Sequence, residues 1–313
     1  MRVVSTACLI AAIATSSLLA FAQTESPSGA DVQLILTVAD HASHKPAELK
    51  ASDLTITDGT ITGFTPLQGT QDVELFLVID DAANYEFSEK LQELRRFVAS
   101  QPKDMSIGVA YVHDGTLQIA ENPTTDHTRS ARALRAPSGS KAASPYAALS
   151  DLIGLWPQKK LRREIILVSS GIDDSGTEAA ALAKAETVIN DADRAGVVIY
   201  ALYNPAANYR FAEWSKVESG ETDLAHTCFE TGGEAYFLSH DPLETVGSFL
   251  IDISEHLAHQ YLVKFRLSPA PESGVQTVFV FSESIDQELM KPDRVWVPAA
   301  LQTLAVTGQP TKK

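Results

Sequence analysis

Hydrophobic and polar positions follow two different rhythms along this chain. "DVQLILTVAD" (31–40) and "SDLTITDG" (52–59) alternate apolar with polar residues, the period of strands with one buried face. Asp58-Gly59 is a turn signal, and a third strand is expected around 61–66. From Val73 the rhythm changes. "VELFLVID" (73–80), "REIILVSSG" (163–171) and "VVIYALY" (197–203) are nearly unbroken apolar runs, as expected of parallel strands covered on both faces. "SIGVAYVHDGTLQIA" (106–120) predicts two strands about Asp114-Gly115, and "EAYFL" (234–238) another. Between them the apolar spacing is helical: Phe87, Leu91, Leu94 and Val98; the stretch 145–156 before Pro157; and a helix through Leu224 and Phe229 to Gly232-Gly233. Another is capped by Thr177, buries Leu182, Ala185, Val188, Ile189 and Ala192, and stops at Gly196; a last one, opened by Pro242, buries Leu243, Val246, Leu250, Ile253 and Leu257.

Helices alternating with continuous apolar strands predict an α/β domain over 72–259, with a doubly wound, mostly parallel sheet. The tail differs. "QYLVKFRL" (260–267) and "VQTVFVF" (275–281) alternate, flank a proline-containing connection, and predict an antiparallel pair. With the segment 23–71 they are expected to form a small β unit, so that the chain divides at 22, 71 and 259. The first 22 residues have an early Arg2, apolar runs, and Ala20-Phe21-Ala22 before Gln23. This predicts a signal peptide cleaved after Ala22, and hence a secreted or periplasmic protein with no transmembrane segment.

Composition narrows the classes. The formal charge is −15; losing Arg2 with the leader makes it about −16. Such a balance argues against nucleic acid and anionic membranes as partners. Cys8 leaves with the leader, so Cys228 has no partner for an internal disulfide and is expected unpaired on the core side of its helix.

Candidate chemistry gathers where doubly wound sheets put it, at the carboxyl ends of the parallel strands. Asp80 and Asp81 follow the first such strand, Ser169-Ser170-Gly171 the central one, and Tyr203-Asn204 the next. With "ASDLTITDG", "LFLVIDDAANY", "RREIILVSSGIDD", "RAGVVIYALY", "ETGGEAYF" and "HLAHQYLVKF" in that order, the chain resembles von Willebrand factor type A domains, and more closely the bacterial secreted VWFA-related family. The resemblance implies a binding or adhesion module and a metal-ion-dependent adhesion site built as D-x-S-x-S, a threonine and a later aspartate. Mapped here, Asp80 keeps the first ligand. The serines become Ala82 and Asn84, the threonine falls near Ala143-Ser144, and the aspartate falls on Ser170. Most of the ligand set is therefore expected to be lost, with magnesium or manganese bound only if Asp81, Ser144, Ser170, Asp173 or Asp174 rebuilds it.

The remaining candidates are less specific. "LYNPAANYRFAEW" (202–214) carries Tyr203, Tyr209, Arg210, Phe211 and Trp214, residue types enriched at binding hot spots, with Tyr85 and Tyr146 as neighbours. Folding of that loop onto its own aromatics is the competing expectation. Ser170 stands at a strand end, but "LVSSGI" lacks the first glycine of a nucleophile elbow, and His226 and His240 are the only later histidines of interest. His256-x-x-His259 has the spacing of a zinc pair without the H-E-x-x-H pattern, so surface or capping histidines are expected. The chain is thus expected to be a non-enzymatic module that recognises a protein or cell-surface ligand through its loops. A metal-dependent adhesion domain is the alternative, and a hydrolase the distant one.

Overall fold

The computed structural model describes residues 29–39, 48–67, 73–83, 85–140, 142–157, 162–174, 176–205, 214–237, 245–282 and 288–299. The chain opens with β1 (Ala30–Ala39), β2 (Leu54–Ile56) and β3 (Gly59–Leu67). The central region runs β4 (Val73–Asp80), α1 (Leu91–Ser100), β5 (Ser106–His113), β6 (Thr116–Thr124), α2 (His127–Ala133), α3 (Pro145–Leu155), β7 (Arg162–Ser169), α4 (Glu178–Ala195), β8 (Val197–Tyr203), α5 (Trp214–Glu230), β9 (Ala235–Phe237) and α6 (Gly247–Ala258). It closes with β10 (Gln260–Leu267), β11 (Gly274–Thr277), β12 (Val280–Ser282), β13 (Glu288–Met290) and β14 (Arg294–Val297).

The continuous apolar runs form the sheet they predict. Its order is β6-β5-β4-β7-β8-β9, parallel throughout except for β6, which turns back antiparallel on β5. The chain winds outward from β4 to β6, then restarts at β7 and winds the other way. This places the topological switch between β4 and β7, where a doubly wound sheet opens its crevice. Two apolar cores cover the faces. One packs α1 and α6 through Leu94, Val98, Ile253 and Leu257; the other packs α3, α4 and α5 through Leu149, Val188, Leu224 and Cys228. Cys228 is free and fully buried, as its helical position predicts.

The terminal segments build a second, antiparallel unit of order β13-β1-β10-β3, with β11-β14 and β12-β2 as separate pairs around a shared core that includes Leu36, Ile56, Phe265 and Val295. One expectation fails here. The strand read from 275–281 breaks into β11 and β12, which pair with β14 and β2, while β10 lies between β1 and β3. Residues 260–267 and 275–281 therefore do not pair with each other, because each finds an apolar partner strand elsewhere. A second correction is helical phase. Ala181 rather than Leu182 faces inward on α4, since 181, 185, 188, 189 and 192 make the continuous buried stripe. The helix opened at Pro242 begins in α6 at Gly247; residues 238–244 lie outside the described residues, and Val246, Leu250, Ile253 and Leu257 are buried as expected.

Candidate functional site

The crevice is built by register. Ile79 of β4 pairs with Val168 of β7, so the next residues, Asp80 and Ser169, meet across the switch point. Ser169 Oγ donates to Asp80 Oδ2 at 2.9 Å, and Ala82 N donates to Oδ1 at 2.9 Å. Ser169, not Ser170, is thus the residue opposite Asp80. Ser170 is buried, and its Oγ accepts from the Ile172 amide at 3.4 Å. Burial pushes the Asp80 carboxyl up to about 6 against these two donors, with the Asp81 and Asp173 carboxylates adding to the rise.

Asp81 sits in a nest of donors. Arg135 grips it with two bonds, Nη1 to Oδ1 at 2.6 Å and Nη2 to Oδ2 at 2.9 Å. Ser138 donates its amide at 2.9 Å and its hydroxyl at 2.8 Å, and His113 Nδ1 lies 3.0 Å from Oδ2. Burial raises this carboxyl, but Arg135 and Ser138 outweigh it and hold the group at about 2. Arg135 also lies over the Tyr111 ring, 3.7 Å from its centroid, and its amide donates to Tyr111 Oη. The 135–140 segment is pinned against β4 and β5 by these contacts.

The other two acids meet lysines. Ser144 Oγ donates to Asp173 Oδ2 at 2.8 Å, and Lys184 Nζ on α4 lies 3.0 Å from Oδ1. The Asp174 amide donates to the Ala143 carbonyl at 2.7 Å, the Ala143 amide donates to Asp174 Oδ2 at 3.3 Å, and Lys216 Nζ lies 3.6 Å from Oδ1. Ala82 packs with Ala143 and Ile172. Gly171 has φ +71, and a Cβ there would meet the Gly220 carbonyl at 2.1 Å. Only glycine lets α5 approach the crevice this closely.

The aromatic candidates separate. Tyr146 and Tyr203 are buried, against the expectation of a shared exposed surface; Tyr203 stacks at a tilt on Phe237, 5.3 Å between centroids. Trp214, at the start of α5, is 82% exposed. Tyr209, Arg210 and Phe211, together with Asn84, lie outside the described residues, as does the Tyr85 side chain. An open groove runs beside Phe237, along one face of α5 formed by Thr222, Ala225, His226 and Phe229, with Glu221 at its edge. Phe229 is 59% exposed and Phe237 43%. Sequence reasoning missed this groove, because Phe229 at a helical position reads as core.

The histidines are also placed. His226 Nε2 lies 2.9 Å from Glu186, in a network that Arg294 extends to Glu186 and Glu230. His256 is buried rather than on the surface, and His259 Nδ1 faces the Glu255 carbonyl. No zinc pair forms between the two. His240 lies outside the described residues.

No family model matches the chain, and no curated protein does. Among solved structures it is similar to the vWF domain of the type V pili tip protein Mfa5 from Porphyromonas gingivalis, at 10% identity and a TM-score of 0.43 over 59% of this chain and 95% of that one. Three N-terminal domains of the same pilus protein give 9% identity and a TM-score of 0.42 over 87% of this chain and 67% of that one. The SpRpn10 VWA domain gives 13% and 0.38 over 57% and 93%. Likenesses this distant carry no functional argument. The class rests on the strand order: a doubly wound α/β domain of the architecture that the von Willebrand A resemblance implies. No helix among the described residues is long and apolar enough to cross a membrane.

Proposed function

We propose that this is an exported, non-catalytic binding module that recognises a protein or cell-surface ligand without a magnesium ion in its crevice. One observation carries the crevice half of this reading: the acids that a cation would need are already met by the protein's own donors. Arg135 neutralises Asp81, Lys184 neutralises Asp173, and Asp80 is bonded to Ser169 and the Ala82 amide. Magnesium demands near-octahedral oxygen coordination at about 2.0–2.1 Å and gives up water reluctantly. A carboxylate gripped by a guanidinium and two serine donors does not supply such a ligand without breaking its ion pair. The residues do not fit the metal.

The partner-facing half rests on exposed rings. Trp214, Phe229 and Phe237 leave large apolar surface in water on and beside α5, where burial would be worth about 25 cal/mol per Å². The ligand therefore presents apolar groups to this side of the domain. Charge supports a partner that is neutral or basic rather than acidic. The leader sequence supports export.

The test is saturable binding of the labelled protein to arrayed surface proteins and polysaccharides, repeated with Trp214→Ala and Phe237→Ala. Binding that survives chelation and falls about tenfold or more in a variant supports the reading. Trp214→Ala should melt close to the parent temperature, since an exposed side chain contributes little to folding, and Phe237→Ala somewhat lower, since it also loses the ring contact with Tyr203. Absence of saturable binding, or loss of all binding in chelator, overturns it.

A further inference from the structure

At the β9 edge of the sheet, three metal-ligating side chains converge. Glu234 immediately precedes β9, and Asp252 and His256 stand one turn apart on α6, on the same face. One ligand atom from each lies within 4.8 Å of the others. His256 Nε2 is 3.8 Å from Asp252 Oδ2.

The imidazole is held in place. Its ring stacks on the buried Tyr200 at 6.1 Å between centroids and 24° between planes. Tyr236 Oη donates to Asp252 Oδ2 at 2.7 Å and lies 3.4 Å from His256 Nδ1. A phenol that orients a carboxylate and approaches the far nitrogen of a histidine is the arrangement that fixes ligands around a metal. The Asp252 side chain is partly exposed, so the site opens to solvent on one side.

We propose that Glu234, Asp252 and His256 hold a divalent transition-metal ion, with zinc the best match. One imidazole and two carboxylates are the donors of an open zinc site, three protein ligands and one position left for water. An all-oxygen cage would suit magnesium or calcium instead; the imidazole selects against them. Zinc bonds of about 2.0–2.1 Å place tetrahedral ligands about 3.3 Å apart, so the 3.8 Å pair closes by a small side-chain adjustment of the half-open Asp252. Bound there, the ion ties the sheet's edge strand β9 to α6 and stabilises the folded chain by mass action. The competing account is a plain helical Asp252–His256 contact with no ion.

The test uses the untagged full-length chain, stripped with chelator and titrated with zinc chloride by calorimetry, alongside Asp252→Asn and His256→Gln. One zinc per chain, a raised melting temperature, and a fall in affinity of about tenfold or more in each variant support the site. Magnesium at equal concentration should not compete. Asp252→Asn keeps an oxygen for the Tyr236 hydroxyl, so its titration decides the matter if His256→Gln does not fold. Absence of saturable zinc binding, or binding that Asp252→Asn leaves unchanged, overturns the proposal.

Discussion

Glu164 lies in the middle of the sheet, and its pH dependence can be worked out from the structure. It sits on β7, between Leu75 of β4 and Val198 of β8, and is fully buried. Burial raises its carboxyl from about 4.5 to about 7; the Arg162 charge and the Gln260 side chain pull the other way and lose. Arg162 spends its own bonds on Gln260 Oε1 and the Leu257 carbonyl. The native state therefore keeps its proton on Glu164 to higher pH than the unfolded chain does. The sign follows: this contribution is fully present below about pH 4.5 and is lost as pH rises through about 7. At 1.36 kcal/mol per decade, the loss between pH 5 and pH 8 is about 2.5 kcal/mol. Glu164→Gln keeps the shape and cannot ionise, so it lacks this slope. In urea melts at a series of pH values, the variant should gain about 2.5 kcal/mol on the parent between pH 5 and pH 8. Parallel stability curves, or a variant that loses ground toward pH 8, would mean that Glu164 is ionised against Arg162, and the reasoning would be refuted.

Two further outcomes follow from the same structure. Asp81→Ala removes the carboxylate that the Arg135 guanidinium and both Ser138 donors share and should cost about 2–3 kcal/mol, less than a fully buried pair because Arg135 is partly exposed and keeps the Ala136 carbonyl; a change below about 0.5 kcal/mol in denaturant melts would contradict the pinning of 135–140. Cys228, fully buried with its thiol pushed well above the ordinary range by burial, should label slowly in the native state and rapidly in denaturant, and fast stoichiometric native labelling would contradict its placement.

The parallel sheet was legible because its strands are buried on both faces, and continuous apolar runs such as 73–80 and 197–203 have few other uses. The phase of α4 was less legible, since alanines at 181 and 185 pack against the sheet as well as leucine does. Pairing in the terminal unit depends on contacts such as Ala30 with Leu267 and Ile56 with Val280, which span most of the chain or join segments separated by the whole central domain. Local rhythm cannot choose among such partners. At the crevice, the sequence located Asp80 and Asp81 by their position at the end of one strand. It could not show what meets the crevice acids, because Arg135 and Ser138 reach Asp81 from more than fifty positions away and Lys184 reaches Asp173 from α4. The substitution of Ser169 for Ser170 opposite Asp80 is one residue of strand register, and only the pairing of Ile79 with Val168 fixes it.

The account rests on a crevice whose acids are satisfied from within. Calorimetric titration of the full-length protein with magnesium chloride, with Asp80→Ala as the control, tests this directly. The prediction is no saturable heat in either protein at millimolar magnesium. Tight, saturable binding that Asp80→Ala abolishes would show that Asp80 and its neighbours release their internal partners to a metal, and would contradict the account.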